Sequence, residues 1–299
     1  MASSRFTLTW NIQADDQEKL IKEFLKENDV SSASLTDIKF RGGSILVGGA
    51  EVNVLYRLKE GDTLEVFFPL EEPSQGMAGE NIPLEILYED DYLLVVNKPP
   101  DMNTIPSREH PKGSLANALI GYYQSIGLIA TTHIVTRLDR DTSGIVLVAK
   151  HRHVHHLFSK LQKQGKVKRT YEAFAQGLFV EKTGSVIAPI GRKPDSIIER
   201  EVRSDGQYAA THYKVLREIG QAFSHLKLSL ETGRTHQIRV HMSYVGHPLL
   251  GDTLYGGSVG RISRQALHCL EISFVHPFYN EQMTFRADMP ADMATLLHT

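Results

Sequence analysis

Two short segments concentrate groups that could do chemistry. The first is Thr136-Arg137-Leu138-Asp139-Arg140-Asp141-Thr142-Ser143-Gly144. It packs two Asp, two Arg, Thr, Ser and Gly between apolar runs, Ile134-Val135 before it and Ile145 to Val148 after it. A solvent turn rarely needs so many hydrogen-bonding groups so close to core. A loop on a rigid scaffold is where catalytic groups usually sit; a structural ion-pair knot is the other reading. The second segment, Glu231 to Met242, holds Arg234, His236, Arg239 and His241. It follows a strand and opens a helix, on which Arg239 lies three residues after His236 and shares its side. The spacing of the two histidines does not match the i, i+4 zinc pattern, and no Cys or acidic third ligand is in place, which argues against a metal. The arginines suit a carboxylate or a phosphate better. Asp139 and Asp141 as a glycosidase-type carboxylate pair are disfavoured, because residues two apart in an extended segment point to opposite sides.

The chain that must position these groups has 299 residues, enough for two domains or one large domain with an appendage. Hydrophobic residues at 41% and charged residues at 23% are the usual globular mix, so a sizeable core is expected rather than disorder. No apolar run reaches the roughly 18 residues of a membrane span, and the N-terminus lacks a signal peptide's apolar stretch. A soluble, cytoplasmic protein is the expectation. The single cysteine, Cys269, excludes an internal disulfide and any zinc site built from several thiolates.

Charge is distributed unevenly. Residues 1–80 hold 8 Lys+Arg against 14 Asp+Glu, whereas 81–299 hold 25 against 21 and all 14 histidines. Lys150 to Arg169 carries seven Lys/Arg and no acid. Such a stripe suits a nucleic-acid contact or, with equal weight, a solvated helix face. The cluster His151, His153, His155, His156 is read as surface near that groove.

The pattern predicts a helix from Asp15, as cap, to Glu27, with Leu20, Ile21, Phe24 and Leu25 as its stripe. A short helix near Ser34 to Ile38 and strands around Ile45 to Val47 and Thr63 to Phe68 follow. Residues 71–81 read as a polar linker that lets the two parts move. Beyond it, Leu84 to Leu87 and Tyr92 to Val96 form a hairpin. Ser114 to Tyr123 and His151 to Gln164 are helices. Ile145 to Ala149, Arg169 to Ala175, Thr211 to Leu216 and Phe223 to Leu230 are strands. Helices interspersed irregularly among strands argue for an α+β fold.

Together the two chemical segments carry a resemblance. The chain is similar to the RluA family of RNA pseudouridine synthases, whose catalytic motif, typically His-Arg-Leu-Asp-x-x-Thr-Ser-Gly, matches Thr136 to Gly144. Further motifs stand as Asn97-Lys98-Pro99-Pro100, Lys168-Arg169-Thr170-Tyr171-Glu172-Ala173, and Thr232 to His241 running on into Gly246 to Asp252. The last comprises Ala266-Leu267-His268 with His276-Pro277-Phe278. The resemblance covers about residues 82 to 295. Thr136 stands where His is usual, so altered packing or hydrogen bonding is expected there. Asp101 stands where Gly is usual; Asp tolerates a positive φ if one is needed.

The resemblance implies a pseudouridine synthase fold over 82–299, a central, mostly antiparallel mixed sheet flanked by helices and loops. Residues 1–70 resemble the small α+β RNA-binding domain first seen in a ribosomal small-subunit protein, in a degenerate form: Val30-Ser31-Ser32-Ala33-Ser34 replaces the basic start of its second helix. The activity implied is isomerisation of uridine to pseudouridine in ribosomal or transfer RNA, by a monomer, with no cofactor or metal. Asp139 is the implied catalytic carboxylate, Arg239 its guanidinium partner with Arg234 as runner-up, and Tyr171 the stacking platform with a hydroxyl able to take part in removing the C5 proton. Ile238 would pack on the other face of the flipped base. Arg137 and Arg140 would meet RNA, Arg140 at the gap left by the base or at a phosphate. Lys98 is a phosphate ligand or a structural lysine. The Lys160, Lys163, Lys166 and Lys168 face would track the backbone. A catalytically inactive RNA-binding protein of the same fold is the alternative.

Overall fold

The computed structural model describes residues 5–71 and 77–298. Near the N-terminus, β1 (Thr7–Asn11), β2 (Ser44–Val47), β3 (Ala50–Glu51) and β4 (Thr63–Phe67) form an antiparallel sheet in the order β1-β4-β2-β3. Strands β2 and β4 alternate, so Ile45, Val47, Leu64 and Val66 point to one face. Helices α1 (Ile21–Glu27) and α2 (Ser32–Phe40) cover that face with Ile21, Phe24, Leu25 and Ile38. The helix expected from Asp15 is shorter than its apolar pattern. Ala14–Asp16 is a 3₁₀ turn, and Glu18 takes a left-handed φ of 65° that no α-helix continues through. The chain therefore restarts at Leu20, whose N–H is met by the Glu23 carboxylate at 3.3 Å.

Of the linker, residues 72–76 lie outside the described residues. Its described ends are tied down rather than free. Glu71 accepts from the Arg152 N–H at 2.7 Å and pairs with His133, and Asn117 donates to the Ala78 carbonyl at 2.9 Å.

The remainder is built on a ten-stranded sheet. Its strands are β5 (Glu85–Glu89), β6 (Leu93–Lys98), β7 (His133–Ile134), β8 (Ser143–Ala149), β9 (Lys168–Gln176), β10 (Thr183–Ile187), β13 (Ala210–Ile219), β14 (Phe223–Leu230), β15 (Leu267–Val275) and β16 (Gln282–Arg286). The order is β10-β13-β14-β9-β15-β8-β6-β5, with β16 on β15 and β7 on β8. Among the described residues only β8 and β15 pair in parallel, so the sheet is mixed but mostly antiparallel. A separate hairpin joins β11 (Ile190–Arg192) to β12 (Arg200–Val202). Every residue of β8 is buried, which is why it reads as a continuous apolar run. Helix α3 (Leu115–Ser125) starts on a capping box, Ser114 accepting from the Asn117 N–H at 3.2 Å. Helix α4 (Arg152–Lys163) buries Val154 and Phe158, each contributing about 1.5–3 kcal/mol by removal from water. Helix α5 (Gln237–Tyr244) packs beside β12 and β13.

The two sheets meet along α4, and two expectations change there. Asp29 pairs with Lys160 at 2.5 Å and Asp37 with Arg152 at 2.6 Å, so part of the basic stripe is paired with the acidic N-terminal unit while remaining exposed to solvent. Phe6 stacks on His151 at 4.4 Å and lies 5.1 Å from Phe68. His153 is 3% exposed beside the same rings. His151 and His153 thus belong to the seam between the units and not to the surface near the groove. Burial pushes both imidazoles down to about 4.

Candidate active site

The connection from β7 to β8 is held by side chains that bond its backbone. Thr104 donates to the Leu138 carbonyl at 2.6 Å, Lys98 to that of Arg140 at 3.0 Å, and Arg264 to that of Asp141 at 3.0 Å. The Thr142 N–H closes a turn on the Asp139 carbonyl at 3.1 Å. Just beyond, Gly144 has φ +112°, and a Cβ there would fall 2.3 Å from the Cys269 carbonyl oxygen. Only glycine lets β8 lie this close to β15. Thr136 is buried and accepts from the Leu147 N–H at 2.9 Å. Asp101 does adopt a positive φ, 60°.

These bonds leave Asp139 at the base of a cleft of about 1490 Å³, with its side chain 26% exposed. That is larger than the 300–1,000 Å³ usual for a small-molecule pocket. Arg137, Lys163, Lys168 and Arg234 are exposed cations on its walls. Arg239 reaches Asp139 from α5. Its Nη1 donates to Oδ2 of Asp139 at 3.1 Å, while Nε and Nη2 grip Asp252 at 2.7 and 2.8 Å. Asp252 is fully buried in its side chain. Burial disfavours the guanidinium's charge, but Asp252 and Asp139 outweigh it and raise its pKa. The ring of Tyr255 lies 5.0 Å from the guanidinium carbon. The start of α5 is fixed by Gln237, which accepts from the Arg234 N–H at 3.0 Å and donates to the Ala210 carbonyl at 2.9 Å.

The arrangement offers an oriented carboxylate, a paired guanidinium and a wide cationic cleft. Residues 92–244 match the family model described as RNA pseudouridylate synthase. RNA pseudouridine synthase YjbO of Bacillus subtilis is 56% identical over 277 residues, 93% of this chain and 98% of that protein. Ribosomal large subunit pseudouridine synthase D of Haemophilus influenzae is 39% identical, over 80% of this chain and 77% of that protein. Human RNA pseudouridylate synthase domain containing 1 superposes with a TM-score of 0.58 at 26% identity, over 70% of this chain and 85% of that one.

The chain belongs to the RluA family of RNA pseudouridine synthases.

In this synthase, the pairing expected of Asp139 with Arg239 is present, and Arg234 instead donates to the Tyr208 carbonyl at 3.0 Å. Arg140 lies on the cleft wall and pairs with Asp101. Lys98 is not available to a phosphate. It is fully buried at the end of β6, and its ammonium donates to the carbonyls of Pro99 and Met102 at 2.8 Å as well as to Arg140. This placement is that of a structural lysine, the second of its two readings. Desolvation pushes its pKa down to about 7, against the pull of Asp139 and Asp141. Ile238 is 3% exposed and belongs to the main core, because α5 turns residues 238 and 242 toward the sheet and 239 toward the cleft. Tyr171 on β9 is also in that core, 4% exposed, with its hydroxyl accepting from Arg169 at 3.3 Å. Burial raises the phenol's pKa, Arg169 opposes that, and Asp139 adds to it. Sequence reasoning did not single out Asp252, Tyr255 or the loop anchors Thr104 and Arg264. Only the motif stretch ending at Asp252 gave any signal.

Proposed function

We propose that this synthase isomerises uridines in ribosomal or transfer RNA, with Asp139 as the reacting carboxylate and the target base flipped out of its helix. The observation carrying this is the Asp139–Arg239 pair at the base of a cation-walled cleft. The N1–C1′ bond breaks, the uracil turns, C5 bonds to C1′, a base removes the C5 proton, and N1 takes up one proton, so the reaction balances. No redox change occurs and no atom leaves. Asp139 attacks the nucleotide or stabilises positive charge on the ribose, and Arg239 holds its Oδ2 through a single hydrogen bond. Arg137 and the exposed cations take the backbone, giving salt-sensitive affinity. Arg140 exchanges Asp101 for a phosphate or fills the gap in the stack. A base reaches Tyr171 and Ile238 only where the cleft opens toward the core. The H. influenzae relative is named for the large ribosomal subunit, which favours ribosomal RNA.

The synthase is taken to act as a cytoplasmic monomer. No helix among the described residues is long and apolar enough to cross a membrane. The N-terminal unit, 1–70, spends Asp29 and Asp37 on α4 and adds little RNA affinity of its own.

Mapping of pseudouridines in ribosomal and transfer RNA tests this reading in cells carrying the gene, lacking it, or carrying Asp139→Asn. Asn is nearly isosteric but cannot act as nucleophile or base. Sites present with the gene should vanish in both other strains. Sites that persist with Asp139→Asn would remove the carboxylate from its role, and an unchanged map would favour an inactive RNA-binding protein.

A further inference from the structure

His236 stands beside Asp139 without a part in the chemistry described so far. It precedes α5 with a left-handed backbone, φ 57°, and its side chain is 12% exposed. Its Nε2 lies 3.8 Å from Oδ1 of Asp139, the oxygen that Arg239 leaves open. Its Nδ1 lies 2.8 Å from the Tyr255 hydroxyl. That hydroxyl oxygen already accepts the main-chain N–H of Arg200 at 3.0 Å. The hydroxyl proton therefore goes to the acceptor at hand, Nδ1 of His236. A neutral imidazole that accepts at Nδ1 carries its own proton on Nε2, the nitrogen facing Asp139. The ring is neutral because burial pushes its pKa below the ordinary value, against the pull of Asp139.

We propose that His236 is a positioning residue for the isomerisation: its Nε2–H, fixed in that tautomer by Tyr255, closes onto Oδ1 of Asp139 and orients the carboxylate when a nucleotide fills the cleft. This deepens the proposed function and rests on Asp139 being the reacting carboxylate. At 3.8 Å the pair is longer than a hydrogen bond. Catalytic hydrogen bonds that are long in the free enzyme commonly tighten in the substrate complex. Arg239 and His236 would then hold one oxygen each.

Three variants separate the donor from the bulk of the ring. His236→Gln keeps an N–H close to the Nε2 position. His236→Met is unbranched, similar in size and lacks the donor; both bear the same left-handed backbone. Tyr255→Phe keeps the ring over Arg239 and releases the tautomer. The measurements are kcat and KM on an RNA transcript that wild-type enzyme modifies, together with melting temperatures. His236→Met should lower kcat about tenfold or more with KM within about threefold, His236→Gln should restore most of it, and Tyr255→Phe should fall between them. Equal loss in Gln and Met, a change in KM rather than kcat, or wild-type kcat in all three would overturn the proposal. If the Met variant does not fold, Tyr255→Phe with normal kcat overturns it alone. Asp139→Asn is assayed alongside. Activity in that variant sinks the carboxylate reading itself, whereas an inactive Asp139→Asn beside a normal His236→Met sinks only the role of His236.

Discussion

Arg239→Ala should damage the enzyme twice, and the two kinds of damage can be pulled apart. The guanidinium makes two hydrogen bonds to Asp252 and one to Asp139. Among the described residues no other cation pairs with Asp252, whose side chain is wholly buried. Truncating the arginine strands that charge. Breaking a buried pair from one side costs about 3–5 kcal/mol. For a domain of this size each kcal/mol lowers the melting temperature by about 2–4 °C, so a fall of roughly 6–20 °C is expected. The lost bond to Asp139 is the catalytic part. A hydrogen bond to a charged group contributes about 1.5–3 kcal/mol, which corresponds to a roughly tenfold to hundredfold drop in kcat if the bond matters in the transition state. Adding Asp252→Ala removes the stranded carboxylate. The double variant should therefore melt higher than Arg239→Ala alone, yet remain as slow. Thermal unfolding and single-turnover kinetics on the same four proteins complete the cycle. A single variant that melts within about 2 °C of wild type, or a double variant that regains its rate, would refute this division of labour.

Two further outcomes follow from burial. Tyr171→Phe keeps the ring and removes the hydroxyl; it should bind RNA well and stall after base detachment, and normal product from both the Phe and Ala variants would make Tyr171 simply a core residue. His151 and His153 have pKa values pushed by burial to about 4, below the ordinary value of about 6.5. Between these limits the unfolded chain binds protons that the folded chain refuses. Their contribution to stability is full above about pH 6.5 and is lost as the pH falls toward 4. Among the described residues His153 Nδ1 has no hydrogen-bond partner, so His153→Phe should cost little at neutral pH and flatten the fall in urea midpoint between about pH 7 and 5; an unchanged slope would contradict that.

The polar loop between apolar runs made the Asp139 segment stand out in the sequence, but singling out Asp139 and Arg239 from Asp141 and Arg234 rested on the resemblance to the RluA family. Asp252 was not readable in the same way. It reaches Arg239 across 13 residues of chain, and nothing in the spacing distinguishes it from a surface turn acid. Lys98 was ambiguous for a related reason: a lysine at a strand end is equally at home in solvent. Its burial depends on three carbonyls contributed by Pro99, Met102 and Arg140, the last 42 residues away. Local pattern failed most plainly at Glu18, where a left-handed residue interrupts a helical periodicity that composition alone supports. Long apolar strands fared better, since β8 and β14 are set by burial on the sheet and tertiary context does not reverse them.

The way Arg239 divides its donors bears on how a carboxylate can be held and still react. An arginine that gripped Asp139 with both prongs would engage both oxygens and stabilise the anion too well for it to attack or to carry a proton. Here the two-pronged contact is given to Asp252, and Asp139 receives a single bond at Oδ2. Asp252 also spreads the guanidinium's charge, so Asp139 faces a cation already partly neutralised. Rigidity then has to come from elsewhere. It comes from the backbone: the carbonyls of Leu138, Arg140 and Asp141 are each fixed by a side-chain donor from another element. The loop is thus ordered by donors from other elements, and the His236 ring lies 3.8 Å from Oδ1 of Asp139. The backbone is thus placed before substrate arrives, which is the condition for a preorganised site, and the contact of His236 with the second oxygen is left to form when a nucleotide is bound.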